Sequence, residues 1–190
     1  MLTLIIFYCS LLLFTNNSSL TPISDVCLTD AEKELFSLVN DYRKSKNLEA
    51  IPYSAALTKV AQAHVRDLHE NYTYDPNAKC NPHSWSKKGD WSSCCYTNDH
   101  KQAQCMWDKP MEIAGYDSHG YEIAYYQSNG AVPSVALDGW KVSKGHNQVM
   151  INLDIWSKVT WQGMGVGLYK EYAVVWFGAK SDPGEMLLCN

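Results

Sequence analysis

Apolar positions after residue 27 first recur three and four residues apart. Leu28, Ala31, Leu35, Leu38, Val39 and Tyr42 line one stripe of a helix. Thr29, with Glu32 three residues on, forms a capping box in which each side chain satisfies a free backbone N–H of the first turn. The proline of "IPYS" (51–54) stops the pattern. Ser54 then caps a second helix, with Leu57, Val60, Ala61, His64, Val65 and Leu68 on its inner face. From Tyr72 to His119 the chain has no clear period and is rich in turn residues. Beyond it the period falls to two. "YEIAYYQ" (121–127), "HNQVMIN" (146–152), "WQGMGVGLYK" (161–170) and "YAVVWFGAK" (172–180) read as strands, the last two close enough for a hairpin. Between the first and second of these, "PSVALDGWKVS" starts a short helix at Pro133 or Ser134, carrying Val135, Ala136, Leu137 and Trp140. Helices first, antiparallel strands later and a helix between them predict an α+β fold, a sheet covered by helices on both faces.

The amino terminus changes the cellular setting. Residues 1–24 contain no Asp, Glu, Lys or Arg, and Leu2–Phe14 is an apolar run too short for the ~20 residues of a spanning helix. It reads as a secretory signal peptide over 1–24, leaving 25–190 as one extracellular domain. Of seven cysteines, Cys9 falls in that leader. The remaining Cys27, Cys80, Cys94, Cys95, Cys105 and Cys189 predict three disulfides in an exported chain. Connectivity stays open, with a vicinal Cys94–Cys95 pair set aside as strained. The expectation is that Cys27 ties to Cys189 and the other four pair across the long loop. A zinc knot is the rival, without CxxC spacing to support it. "NYT" at Asn71 is a glycosylation sequon. A net charge of -4, with no like-charge run beyond Lys87-Lys88, argues against nucleic acid and against a polybasic membrane patch.

No HExxH, GxSxG, phosphate loop or EF-hand spacing occurs. Three dispersed residues could carry chemistry: His83 in "NPHSW", Glu122 in "GYEIAYY" and His146 in "KGHNQVM". Two imidazoles and a carboxylate suit Zn²⁺ with a position open for water, or acid–base work. His64, on an apolar stripe, reads as a core histidine with a bonded ring.

"VNDYRKSKNL…IPYSAALTKVAQAHV" resembles the opening helices of the CAP superfamily, which comprises cysteine-rich secretory proteins, venom antigens and plant pathogenesis-related proteins. Asn40, Arg43, Ala61 and Gln62 fit its pattern, whereas Val39 stands where histidine is common. "HSW", "GYEIAYY", "ALDGWKVSKGHNQVMIN" and "GVGLYKEYAVVWFG" resemble four further motifs in the right order. "CYTNDHKQAQCMWDKPMEIAGYDSHGYEIA" is most similar to the venom allergen-like proteins of parasitic flatworms. The resemblance implies a three-layer α-β-α sandwich around a central antiparallel sheet. It also implies a cavity with a His-Glu-Glu-His tetrad, in which His83, Glu122 and His146 are three members and Ser143 replaces the second glutamate. His83 and His146 are then the expected zinc ligands, with no cofactor required. Fatty acid or sterol is the implied ligand, in a cleft between the first and fourth helices lined by Leu35, Leu38, Val39, Tyr42, Val135, Leu137 and Trp140. Host proteins are further partners the resemblance suggests. The expected function is non-enzymatic lipid binding outside the cell. The alternatives are a structural extracellular protein with a vestigial metal cavity and a metal-dependent hydrolase.

Overall fold

The computed structural model describes residues 26–190, so the expected leader lies outside the described residues. Strand β1 (Cys27–Leu28) leads into α1 (Asp30–Ser45), whose capping box forms as the sequence predicts. Thr29 Oγ1 accepts from the Glu32 amide at 3.2 Å, and Glu32 Oε2 accepts from the Thr29 amide at 2.9 Å. Helix α2 (Ala55–Asn71) is capped by Ser54, whose hydroxyl accepts from the Leu57 amide at 3.0 Å. Two short helices, α3 (Ala103–Trp107) and α4 (Lys109–Ala114), lie in the stretch that has no clear period. Gly115 at φ 66° ends α4 in the left-handed conformation that glycine adopts without strain.

Strand β2 (Gly120–Tyr126) is followed by α5 (Pro133–Val142) and α6 (Lys144–Met150), a 3₁₀ turn at Asp154–Trp156, and the hairpin β3 (Gly163–Tyr169)–β4 (Tyr172–Gly178). A last strand, β5 (Leu187–Leu188), pairs parallel to β1. The main sheet is antiparallel, ordered β2-β4-β3, with Glu122 opposite Trp176 and Gly165 opposite Trp176 from the other side. One expectation is corrected here: residues 146–152 are not a strand. Lys144–Met150 is helical, with the Asn147 amide bonded to Ser143 O and the Ile151 amide to Asn147 O. Seven residues are too few for the alternation of His146, Gln148 and Met150 to distinguish the two periods.

Alternation along the strands divides the core into two layers. Ala173, Val175 and Phe177 of β4 face α1, α5 and α6, packing with Leu35, Val39, Leu137, Trp140 and Met150. Tyr172, Val174 and Trp176 face α2, packing with Leu57, Val60, Ala61, Val65 and Trp85. The result is helices on both faces of an antiparallel sheet, the sandwich the sequence predicts. Helix α2 lies so close to β3 that a Cβ at Gly165 would run into the backbone of Leu57 and Thr58. Only glycine allows that approach.

Three disulfides brace the fold. Cys27–Cys189 joins the ends of the described chain, as expected, and the loop cysteines pair as Cys80–Cys95 and Cys94–Cys105.

Candidate functional site

Register places the carboxylate. Glu122 shares the α2-facing side of the sheet with Trp176, which carries it to His64 on the inner face of α2. Glu122 Oε1 lies 2.5 Å from His64 Nδ1, and Oε2 lies 2.8 Å from His83 Nδ1. Both carboxylate oxygens are thus occupied by ring nitrogens, and the side chain is fully buried. His64 Nε2 lies 3.0 Å from the Ser84 carbonyl, which can only accept. That fixes a proton on His64 Nε2 and leaves Nδ1 facing the carboxylate. Burial alone would raise the carboxyl pKa of Glu122. The charge and hydrogen bond of His64, then those of His83, outweigh it and hold the group below its ordinary range.

The loop after α2 presents His83. A backbone bridge between Trp85 and Cys94, the Asn81 amide bonded to Tyr96 O, and the Tyr96 amide bonded to Ser84 Oγ at 2.9 Å fix its shape. Trp85 stacks on His64, with ring centroids 4.0 Å apart and planes 7° from parallel. Tyr96 packs against His83 at 5.3 Å, and burial, then the Glu122 charge, raises its phenol pKa. From the opposite face, α6 brings His146 to His83, with ring centroids 6.2 Å apart. Burial and then the neighbouring His83 lower the His146 pKa to about 4, so its imidazole is neutral near pH 7.

His83, Glu122 and His146 therefore converge on β2 from three different elements. Ser143 stands between α5 and α6 and carries only a hydroxyl, so this position brings no second carboxylate to the cluster. His64 is a core histidine with a satisfied ring, and it is also the fourth member of the cluster. Sequence reasoning misses that role because its place on the apolar stripe of α2 carries no sign of the carboxylate opposite. Tyr96 and the Ser84 carbonyl escape it because they lie in the stretch with no period, where no pattern marks a direction. Among the described residues no group of three or more His, Cys, Asp or Glu could hold a metal ion. What the cluster offers instead is a pair of imidazoles, with His83 Nε2 left free by the Nδ1 bond to Glu122.

The seven residues expected along a lipid cleft divide. Leu35, Val39, Leu137 and Trp140 are closed into the core between α1 and α5. Leu38 and Tyr42 are half-buried against it, with the Tyr42 hydroxyl donating to Asn147 Oδ1 at 2.8 Å. Val135 is exposed. A ligand at these positions has to push apart helices that are packed together.

The other motif residues work as clasps. Asn40 bonds Ile51 in both directions, through Nδ2 to O at 3.1 Å and through Oδ1 from the amide at 2.8 Å. Buried Arg43 donates to Glu49 O, Met150 O and Asn152 Oδ1. Gln62 Nε2 donates to Cys27 O at 2.8 Å and to Glu32.

The family model described as cysteine-rich secretory protein family, CAP, matches residues 36–179. No curated protein matches the chain significantly. Among solved structures, an extracellular protein of Bacillus anthracis containing an SCP domain matches with TM-score 0.56 and 19% identity, over 79% of this chain and 40% of that one. A cysteine-rich secretory protein of Staphylococcus aureus matches with TM-score 0.50 and 16% identity, over 79% of this chain and 39% of its own. An outer surface protein of Borrelia burgdorferi matches with TM-score 0.51 and 21% identity, over 80% and 96%. The chain thus spans about two fifths of the first two proteins, and at these identities the likeness is one of fold.

Proposed function

We propose that this chain, which belongs to the cysteine-rich secretory protein family, is a non-enzymatic extracellular binding protein in which His83 and His146 form a two-histidine seat for a zinc ion. One observation carries the reading: both oxygens of the buried Glu122 are held by His64 and His83. A carboxylate so committed cannot act as general base, since a base needs a free lone pair within reach of the proton it removes. It can orient a ligand. A carboxylate on Nδ1 of a metal-ligating histidine fixes the ring and leaves Nε2 as the donor. His146, neutral near pH 7, suits the second position. Two imidazoles satisfy half of a tetrahedral zinc sphere, the rest falling to water or to a partner's side chains. Bound there, the ion would supply a Lewis-acidic centre.

Calorimetry with zinc chloride on the secreted protein tests the reading. Saturable binding that His146→Ala abolishes while the fold persists supports it. An unchanged isotherm in that variant refutes it.

A fatty acid or sterol is the second ligand class, favoured by one feature. Val135 and Val142 of α5 and Val132 just before it are exposed, and Leu38 of α1 is half-buried against the core. Each acyl CH₂ removed from water contributes ~0.8 kcal/mol, so a long chain could offset the separation of the helices. Labelled palmitate and cholesterol, assayed against wild type and Leu38→Asp, decide it. Saturable binding lost in a folded variant supports a groove at α1–α5, and no binding to wild type removes it. No helix of the described residues is long and apolar enough to cross a membrane.

A further inference from the structure

Residues 86–93 form a loop that is held in shape at several points. Trp85 and Cys94 close its base with two backbone hydrogen bonds, of 2.8 and 3.0 Å. The disulfides Cys94–Cys105 and Cys80–Cys95 tie the returning limb to its surroundings. On the outgoing limb, Ser86 is clamped by the buried Asp67, whose Oδ2 accepts from the Ser86 amide at 2.8 Å and whose Oδ1 accepts from its hydroxyl. On the returning limb, the Ser92 carbonyl accepts from the buried Lys109, and the Ser92 amide donates to Glu112. The Lys88 amide donates to Ser86 Oγ at 3.0 Å. Trp91 folds against the apex: its indole N–H donates to Ser86 O at 3.2 Å, and a Cβ at Gly89 would come within 2.2 Å of its ring. The side chains of Lys88 and Asp90 nevertheless stay exposed, and among the described residues neither has an ion-pair or hydrogen-bond partner.

We propose that Lys88-Gly89-Asp90 is a docking tip for a cell-surface receptor. Asp90 completes the coordination of a divalent cation that the receptor holds, and Lys88 enters an acidic pocket beside it. The inference rests on the extracellular reading and is independent of the zinc seat. A carboxylate oxygen is a hard ligand that suits Mg²⁺, Ca²⁺ or Mn²⁺ where a protein leaves a coordination position open. Two exposed ion pairs alone would contribute ~0–1 kcal/mol each, too little to hold a complex, whereas a carboxylate on a metal is an anchor. The ammonium of Lys88, two residues and at most ~7 Å of backbone away, sets the register of the complex. Lys-Gly-Asp has the charges of the Arg-Gly-Asp tripeptide that cation-dependent adhesion receptors read, with a point charge in place of the guanidinium fork. The glycine between the charges is required by this chain itself, since the Trp91 ring occupies the space of a side chain. Bracing serves affinity, because a loop already held in shape loses little conformational freedom on binding.

The test passes the intact, disulfide-bonded protein over immobilised receptor ectodomains, in Mg²⁺ and in EDTA. The receptors are adhesion receptors that bind Arg-Gly-Asp peptides through a bound divalent cation, including ones that accept lysine for arginine. The expected result is saturable binding to at least one of them, lost in EDTA, restored by Mg²⁺ alone and displaced by a cyclic Arg-Gly-Asp peptide. Asp90→Ala should weaken it at least ~100-fold and Lys88→Ala ~10-fold, while Lys87→Ala, next to the tip, changes it less than ~2-fold. All three side chains are exposed, and urea unfolding of each variant checks that the domain is intact. No cation-dependent binding to any of the receptors overturns the proposal. Binding that survives EDTA, or that Asp90→Ala leaves unchanged, overturns it too. Each of these failures is separate from failure of the zinc seat, which calorimetry at His83 and His146 judges by itself.

Discussion

Replacing Glu122 by alanine removes two hydrogen bonds at once, at 2.5 Å to His64 and 2.8 Å to His83, from a side chain with no exposed surface. His64 remains buried, with Nε2 still on Ser84 O and nothing opposite Nδ1. Removing one member of a buried ion pair costs ~3–5 kcal/mol, because the partner is left desolvated. For a domain of this size each kcal/mol is worth ~2–4 °C, so the melting temperature should fall by ~10 °C. Glu122→Gln should cost less, on the order of 1–2 kcal/mol. Its amide nitrogen can donate to a neutral His64 Nδ1 while its oxygen accepts from His83, which keeps both contacts without a charge. The assay is urea unfolding followed by tryptophan fluorescence, with Trp85, stacked on His64, as a local reporter. Acid adds a second axis. The folded carboxyl lies below its ordinary value of 4.5, through the interactions with His64 and His83 that outweigh burial. Its contribution is therefore fully present above that value and lost as the pH falls through the lower folded one. The gap between wild type and Glu122→Ala should narrow over that window. An alanine variant within ~0.5 kcal/mol of wild type at neutral pH would refute the idea that this cluster anchors β2 to α2.

Three further outcomes follow from the same structure. Arg43→Met should cost ~3–5 kcal/mol by urea unfolding, since the carbonyls of Glu49 and Met150 lose a buried charged donor. Gly165→Ala should destabilise by ~1–3 kcal/mol or prevent secretion, because its Cβ meets the backbone of α2 rather than a side chain that can turn away; a neutral effect would mean that β3 and α2 separate easily. His146→Gln should flatten stability between pH 6.5 and about 4, where the wild type weakens as the pH falls because folding opposes protonation of that imidazole; a parallel pH profile would count against its burial.

Local signals carried most of the fold. The Thr29–Glu32 box, the Ser54 cap and the alternation in 121–127 and 172–180 each act over a few residues, and each element formed where its own chemistry required. The helices at 103–107 and 109–114 were not legible in that way. They are a turn or so long, and the stop signal at Gly115 has no apolar stripe ahead of it to end. The cluster was legible only by resemblance. Nothing within "GYEIAYY" says that Glu122 faces α2, because strand parity becomes a direction only once β2 is registered on β4. His64 shows the limit most clearly, as its spacing matches that of the leucines around it.

The Cys27–Cys189 bridge has a mechanical consequence. Its Cα atoms are 5.0 Å apart, and β1 and β5 run side by side next to it. A tensile load applied outside the bridged cysteines passes through the S–S bond and bypasses everything between them. With the bridge intact the domain behaves as an inextensible link. Reduced, it becomes a store of slack, since the 162-residue separation between those cysteines can extend to ~500 Å or more.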